Sequence, residues 1–326
     1  MNILVTGGAG YIGSHTVKAI AEAGHNPIVA DNLEKGHDWA VRWGQFEFCQ
    51  LSDSSAIDKI FERHSIDAVI HFAAYIEVGE SMKDPGKYFR NNFGCTLNLL
   101  EAMQRAGVRH IVFSSTAAVY GTPQQIPIPE AHPKQPVNAY GESKLMVERM
   151  LDWYAECHGF AAAKLRYFNA AGADKEARIG EAHGPESHLI PLVLAAAHGK
   201  RPSISIYGTD YPTPDGTCVR DYVHVDDLAQ AHLLALDRIR ATNKSCDYNL
   251  GTGLGASVRQ VITTVEQVTG LTVPVEESPR RAGDPAELIA DPGKAMAELG
   301  WRPILSDLPT IIESANRWYT KHFGIV

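Results

Sequence analysis

Met1-Asn2-Ile3-Leu4-Val5-Thr6-Gly7-Gly8-Ala9-Gly10-Tyr11-Ile12-Gly13 opens the chain, and its reading decides the fold. Ile3 to Val5 is a short apolar run of the kind that forms a strand buried on both faces. Glycines at 7, 10 and 13 follow at once, and a helix-like stretch runs from Ile12 to Ala23. Glycine permits a tight turn and lets the backbone approach a pyrophosphate, which the helix N-terminus then attracts. A glycine motif alone says little, because chance matches are common. Its place between a strand and a helix, with Asp31 closing a second strand, makes it specific. Asp31 stands 18 residues beyond Gly13, near the ~20 expected of a carboxylate that binds ribose hydroxyls. A carboxylate there repels the extra phosphate of NADP, so NAD is the expected cofactor; Lys35 leaves NADP as the alternative.

The same rhythm continues outward. Pro27 to Ala30, Ala68 to Phe72, His110 to Phe113 and Ala161 to Phe168 read as further buried strands. Ser55 to His64, Tyr88 to Ala106 and Tyr140 to Cys157 read as helices between them. This alternation predicts an α/β fold, a Rossmann-type doubly wound parallel sheet. From Asn169 the alternation breaks down. Pro, Gly and His crowd Gly172 to Pro191 and Gly208 to Gly216, which predicts ligand-facing loops rather than a second regular sheet. Helices are expected again at Leu189 to His198, Val225 to Asp237, Ser257 to Thr269 and Leu308 to His322. We expect residues 1–170 to form the nucleotide-binding domain, with segments near 210–260 returning to it. Residues 171–326 are expected to form mainly a smaller C-terminal α/β lobe for the substrate.

Composition excludes several classes of function. The 326 residues carry a formal charge of -8 and a pI near 5.9, which argues against nucleic acid or an anionic membrane as partner. Cys49, Cys95, Cys157, Cys218 and Cys246 are scattered and odd in number, with no Cys-x-x-Cys pair. That pattern fits a reducing cytoplasm better than a disulfide framework or a zinc site. No basic leader with an apolar core opens the chain, and no apolar run approaches the ~20 residues of a membrane span. A soluble cytoplasmic protein is expected.

Tyr140 and Lys144 lie in Asn138-Ala139-Tyr140-Gly141-Glu142-Ser143-Lys144, four residues apart and on one face of a helix. A phenol is a poor base, with a pKa near ~10, but a neighbouring ammonium favours the phenolate. Phe113-Ser114-Ser115-Thr116-Ala117-Ala118-Val119-Tyr120-Gly121 ends a predicted strand, where ligands of such sheets bind. The Thr116 hydroxyl there is placed to hydrogen-bond a substrate oxygen while Tyr140 moves its proton.

With the glycine loop, Thr116, Tyr140 and Lys144 in this order, the chain resembles the extended short-chain dehydrogenase/reductase superfamily over nearly its whole length. Within it the resemblance is strongest to the UDP-glucose/UDP-galactose 4-epimerases. It is carried by Asp31-Asn32-Leu33, His71-Phe72-Ala73-Ala74, Val78-Gly79-Glu80-Ser81, Asn91-Asn92, Leu165-Arg166-Tyr167-Phe168-Asn169, Tyr211-Pro212-Thr213, Asp215-Gly216-Thr217, Val219-Arg220-Asp221-Tyr222-Val223-His224-Val225 and Tyr248-Asn249-Leu250-Gly251. The resemblance implies that Thr116 and Tyr140 touch the sugar 4-hydroxyl, and that Lys144 binds the nicotinamide ribose and lowers the Tyr140 pKa. It implies NAD contacts at Gly7, Gly10, Tyr11, Ile12, Gly13, Asp31, Asn32, Gln50, Leu51, Phe72, Ala73, Ala74, Asn92 and Ser114, with Phe168 near the nicotinamide. Asn169, His188, Leu189, Tyr207, Arg220, Tyr222, Arg281, Asp284 and Leu288 are implied around the UDP-sugar. The implied reaction is NAD-dependent 4-epimerisation of a UDP-hexose, by an isomerase that acts as a homodimer through the helices at Tyr88 to Ala106 and Tyr140 to Cys157.

Some positions depart from the family pattern. Thr116 replaces a common serine but keeps the hydroxyl. Gln50 stands where many relatives place an aspartate against adenine, and Ile76 replaces a lysine that contacts a cofactor phosphate in some. Leu288 replaces a bulky tyrosine, which leaves room for an N-acetylated hexosamine. Asp221, His224, Asp226 and Asp227 cluster like metal ligands, but a helix cap and a core-facing histidine explain them better. His183 and His188 are expected to line the cleft or face solvent, and no metal site is expected. Glu276, Glu277, Arg280 and Arg281 also fit a solvated charge run.

Four other readings compete: a UDP-pentose 4-epimerase, a sugar-nucleotide 4,6-dehydratase or decarboxylase, a silent NAD-binding regulator, and a simple oxidoreductase that releases reduced cofactor. Dehydration needs an extra acid or base beside the sugar, and Ala117 and Ala118 cannot move protons. A silent regulator would not require Thr116, Tyr140 and Lys144 together.

Overall fold

In the computed structural model, which describes residues 1–281 and 283–325, the opening run forms strand β1 (Asn2–Thr6) and leads into helix α1 (Tyr11–Glu22). Successive β1 side chains point to opposite layers, as a pleated strand requires. Ile3 and Val5 pack with Val17 and Ile20 of α1, while Leu4 packs on the other face with Ile57. The strands β2 (Asn26–Asp31), β3 (Gln45–Phe48), β4 (Ala68–His71), β5 (His110–Thr116) and β6 (Ala161–Tyr167) complete most of the sheet. Strands β7 (Asn169–Ala171), β8 (Ile204–Tyr207), β9 (Val219–Arg220) and β10 (Tyr222–His224) lie outside it, and β11 (Cys246–Leu250) returns to its edge. The order is β11-β6-β5-β4-β1-β2-β3, with every pair parallel. The winding reverses between β1 and β4, the position at which such sheets open a ligand crevice.

Helices cover both faces. The Leu4 face is packed by α2 (Ser54–Arg63) and, beyond the short α3 (Val78–Ser81) and α4 (Pro85–Tyr88), by α5 (Cys95–Arg105) and α6 (Ala139–His158). After α7 (Leu189–Ala197), helix α8 (Val225–Thr242) joins α1 on the opposite face. A third core lies among α7, β8, α9 (Val258–Thr269) and α11 (Leu308–His322), with α10 (Gly293–Leu299) between the last two in sequence.

Four features differ from the sequence reading. Strand β3 was not expected, because its Phe46 and Phe48 are 40% and 64% exposed and give no buried apolar run. The segment Tyr88 to Ala106 is not one helix: α4 and α5 are joined by a π-helical stretch, Phe89–Gly94. Asn92, buried in that stretch, bonds the Tyr75 backbone on both sides and reaches Ser143 on α6. Helix α10 was also missed. The C-terminal part holds small sheets that the loop-rich composition concealed: β10-β7, β12 (Ala256–Ser257)-β9-β14 (Glu287–Leu288), and β13 (Val275–Ser278)-β8.

Candidate active site

At the carboxyl ends of the strands lies a cleft of about 810 Å³. Gly7 turns the chain with φ +73°, and a Cβ there would meet Ala73 N at 2.6 Å. A Cβ on Gly13 would collide with the Gly7 carbonyl oxygen, so α1 closes against its own loop only because residue 13 is glycine. Asp31 is buried at the end of β2, where its carboxylate accepts from Ala9 N (3.0 Å) and Leu33 N (2.8 Å). Burial pushes this carboxyl up, against the pull of those N–H groups. Beside it, Asn32 Nδ2 donates to Gln50 Oε1 at 3.1 Å.

Across the cleft, Asn138 caps α6 by accepting from Gly141 N at 2.8 Å, which fixes the first turn that carries Tyr140. Tyr140 is half-buried in the cleft wall, and desolvation raises its pKa while a Thr116 hydrogen bond pulls it down. Lys144 Nζ donates to Ser114 O at 2.8 Å, and burial depresses this ammonium to about 7. In the protein alone, burial therefore dominates both members of the pair. The expected lowering of the phenol needs charge beyond that of Lys144. Thr116 Oγ1 accepts from Ala118 N at 3.2 Å, and Ala117 and Ala118 also line the cleft.

The structure brings most of the expected residues to this one cleft. Gly7, Gly10, Tyr11, Ile12, Gly13, Asp31, Asn32, Gln50, Leu51, Phe72, Ala73, Ala74, Ser114, Thr116, Tyr140, Lys144, Phe168, Asn169, His188, Arg220, Asp284 and Leu288 line it. Ile76 does so too, 41% exposed. Arg220 pairs with Asp284. Five expected residues stand back from the wall. Asn92 is behind it in the π-helical stretch, Tyr222 is buried in the third core, and Leu189 follows His188 into α7. The Arg281 guanidinium lies 3.9 Å from the Tyr207 ring centroid, and neither residue is part of the cleft lining.

The residues that resembled a metal cluster are dispersed among other partners. Asp221 accepts from Thr252, Gly253 and Ala290. His224 Nδ1 caps α8 by accepting from Asp226 N, Asp226 pairs with His15 and Lys18, and Asp227 binds Ser306 and Leu305. His183 and His188 both lie at the cleft and pair with Glu181 and Glu186. Burial lowers both imidazoles, but the two carboxylates outweigh it and hold them at about 9 and about 10. Glu181 and Glu186 were overlooked, although Glu181-x-His183-x-x-Glu186-x-His188 is legible as a pattern. Glu148 was also overlooked. It lies one more turn along the Tyr140/Lys144 face and accepts from Ser115 Oγ (2.6 Å), beside Thr116. Its four-residue spacing from Lys144 was the available signal.

This glycine loop, buried acidic strand end and Tyr/Lys helix are the parts of a sugar-modifying Rossmann enzyme, and the chain belongs to the NAD dependent epimerase/dehydratase family, whose match spans residues 3–251. It is 53% identical over 322 residues to the UDP-glucose 4-epimerase of Halalkalibacterium halodurans, covering 99% of this chain and 96% of that one. Among solved structures, UDP-glucose 4-epimerase from Brucella ovis in complex with NAD is 47% identical with a TM-score of 0.96, over 98% of both chains. The UDP-Glc/GlcNAc 4-epimerase of Campylobacter jejuni is 44% identical with a TM-score of 0.87, over 98% of this chain and 99% of that one.

Proposed function

We propose that this chain is an NAD-dependent isomerase that epimerises the 4-carbon of UDP-glucose and UDP-galactose. The observation that carries this is the cleft wall itself: Thr116, Tyr140 and Lys144 face the glycine loop, while the adjacent Ala117 and Ala118 offer no further acid or base. The residues fit NAD. The Gly7–Gly13 loop leaves no space for a Cβ at Gly7 or Gly13, a tight turn that brings the start of α1 to the cleft where it can attract a pyrophosphate, and Asp31 presents a buried carboxylate to the ribose hydroxyls. When bound, NAD supplies a reversible hydride acceptor, and its positive ring favours a neighbouring phenolate.

Tyr140 takes the 4-hydroxyl proton as the C4–H bond breaks and a C4=O bond forms. Thr116 donates a hydrogen bond to that oxygen and holds it beside the phenol. The 4-keto sugar turns while its diphosphate stays fixed, hydride returns to the other face, and Tyr140 gives the proton back. Lys144, anchored to Ser114 O, holds the nicotinamide ribose and stabilises the phenolate. Arg220 grips the diphosphate once Asp284 shares or releases it. Asn169, His188, Leu189, Tyr222, Tyr207 and Arg281 support the nucleotide from α7, β10 and outside the cleft lining, and Phe168 flanks the nicotinamide. Atoms balance with no added oxidant, so the cofactor ends unchanged.

Purified protein given UDP-galactose without added cofactor should form UDP-glucose with no net NADH. A 4-keto-6-deoxy product, accumulating NADH or absent turnover would overturn the reading. We place the NAD domain at residues 1–170 with β11 returning to it, and the sugar-nucleotide lobe mainly at 171–326; limited proteolysis cutting within β5 or β6 first would contradict that division. No described helix is long and apolar enough to cross a membrane, and a cytoplasmic site of action suits a chain whose cysteines are all free. Recovery of the native protein with extracted membranes rather than the soluble fraction would overturn that placement. A homodimer through α5 and α6 would cover Trp153, which is 68% exposed. Sedimentation equilibrium at the 35.6 kDa monomer mass would refute it.

A further inference from the structure

Among the described residues, one group of two histidines and two glutamates converges within residues 181–188. Glu181, His183, Glu186 and His188 each turn one ligand-type atom inward, and the four atoms lie within 4.8 Å of one another. His183 Nδ1 is 3.1 Å from Glu181 Oε1 and 3.7 Å from Glu186 Oε2. His188 Nδ1 is 2.8 Å from Glu181 Oε1 and 3.1 Å from Glu186 Oε1. An imidazole carries at most one proton on Nδ1, yet each ring here aims that one atom at two carboxylates. Hydrogen bonding alone cannot serve all four contacts well. These four separations, the two to Glu186 falling on different oxygens, lie on either side of the ~3.3–3.4 Å edge of a tetrahedron whose corners lie ~2.0–2.1 Å from a central zinc.

The backbone is fixed so that this convergence persists. Ala182 O is 2.6 Å from His37 Nε2, and Glu181 O accepts from Trp318 Nε1 at 2.8 Å. Glu186 Oε1 accepts from the N–H groups of Ser187 and His188, both at 2.8 Å. That orients the carboxylate as an outer shell orients a metal ligand. Gly180, which begins the segment, lies against the Trp318 ring with no space for a Cβ.

We propose that Glu181, His183, Glu186 and His188 form a structural site for a divalent first-row cation, zinc by preference. Two imidazole nitrogens and two carboxylates make a borderline donor set that suits zinc, and four protein ligands leave no open position for catalysis. Two carboxylates balance the charge of the cation. Binding displaces the protons that otherwise hold the cluster together as ion pairs. The site joins two rims of the cleft: His183 packs edge-on to Tyr11 of the glycine loop with ring centroids 6.2 Å apart, and His188 starts α7. Cation binding therefore clips the segment 181–188, which lines the cleft, in place. This is independent of which reaction the cleft performs, and metal content reads it directly.

The test uses the full-length, cofactor-loaded protein without a polyhistidine tag, stripped with a chelator and titrated with Zn²⁺ by calorimetry. One equivalent per chain should bind, and the melting temperature should rise. Co²⁺ in its place should give the intense visible bands of tetrahedral coordination. His183→Gln and Glu186→Gln should each weaken Zn²⁺ binding at least tenfold, in proteins whose circular dichroism matches the parent. The chain has 14 histidines, so an equivalent that survives unchanged in both variants lies elsewhere and overturns the proposal. No saturable equivalent in the parent overturns it too, as does a weak octahedral Co²⁺ spectrum, and neither result depends on a variant that folds.

Discussion

Removing both partners of the buried Arg166–Glu148 pair should cost less than the summed costs of removing each alone. Arg166 is fully buried on β6, and its Nε and Nη2 each donate to Glu148 at 2.8 Å; Glu148 is 2% exposed. Arg166 Nη1 also donates to Tyr120 OH (2.9 Å) and Asp247 (3.0 Å), and Tyr120 OH donates to Asn249 (2.7 Å). Breaking a buried pair by deleting one member costs about 3–5 kcal/mol, because the other charge stays buried and unpaired. Glu148→Gln leaves Arg166 with Asp247, which is 29% exposed, so about 3 kcal/mol is expected. Arg166→Met leaves Glu148 with Ser115 and with Lys134 at 3.7 Å, and a similar cost of about 3–4 kcal/mol follows. The double variant should lose about 2–3 kcal/mol less than the sum.

Urea unfolding followed by circular dichroism measures all four proteins. Singles that cost under about 1 kcal/mol, or a double variant additive within about 0.5 kcal/mol, would refute the reasoning. Acid gives a second check. Burial pushes the Glu148 carboxyl up, but the Arg166 bonds outweigh it and hold it below its ordinary value. A depressed carboxylate contributes stability that is full above its unfolded pKa of ~4.3 and is lost as pH falls through the folded value. The advantage of the parent over Glu148→Gln should therefore shrink below about pH 4.

Tyr140→Phe should retain NAD and lower kcat by about 10²–10⁴; loss of NAD content instead would make the residue structural. Leu288 lines the cleft and packs with Phe168 and Val119, so Leu288→Tyr should depress turnover of UDP-N-acetylglucosamine selectively. Equal loss with UDP-glucose would discard the steric argument. Lys144→Met should abolish turnover yet raise the melting temperature of the cofactor-free chain at pH 7, since burial holds this ammonium at about 7. The unfolded chain binds the Lys144 proton up to ~10.4 and the folded chain only to about 7. Parent stability should therefore rise with pH across that window while the variant stays flatter. A variant that melts lower at pH 7, or an unchanged pH slope, would count against it.

The sequence made the sheet legible because parallel strands buried on both faces leave unbroken apolar runs, and Ile3 to Val5 or Ala68 to His71 are such runs. It concealed β3 for the opposite reason, since an edge strand with exposed Phe46 and Phe48 has no such signature. The break at Phe89–Gly94 was hidden because a π-helical stretch needs no glycine or proline and keeps a helical composition. Positions set by chain-local chemistry, such as the glycine loop, Asp31, Tyr140 and Lys144, were readable from spacing. Those set by tertiary convergence were not. Tyr222 reads like its neighbour Arg220 in sequence, yet it turns into the third core while Arg220 faces the cleft.

Helix α6 ties these observations together. Tyr140, Lys144, Glu148 and Asp152 repeat every four residues, a polar stripe on a face that packs toward β5 and β6. Each turn meets a partner on those strands: Lys144 takes Ser114 O, Glu148 takes Ser115 and Arg166, and Asp152 takes Lys164 at 2.6 Å. A polar stripe against a sheet is costly unless every buried group is satisfied, and Lys144 and Glu148 each are, while the last pair lies at the rim with Asp152 58% exposed. A one-residue slip would turn the helix by about 100° and break all these bonds at once. Burial charges Lys144 reluctantly and keeps Tyr140 protonated, which opposes the chemistry proposed for the cleft. The turn beyond them bears the positional load through the buried Glu148–Arg166 pair, so the first two are free to hold groups out of their preferred ionisation state. That division of labour explains why Glu148, which touches no expected ligand, should still govern how Tyr140 meets Thr116.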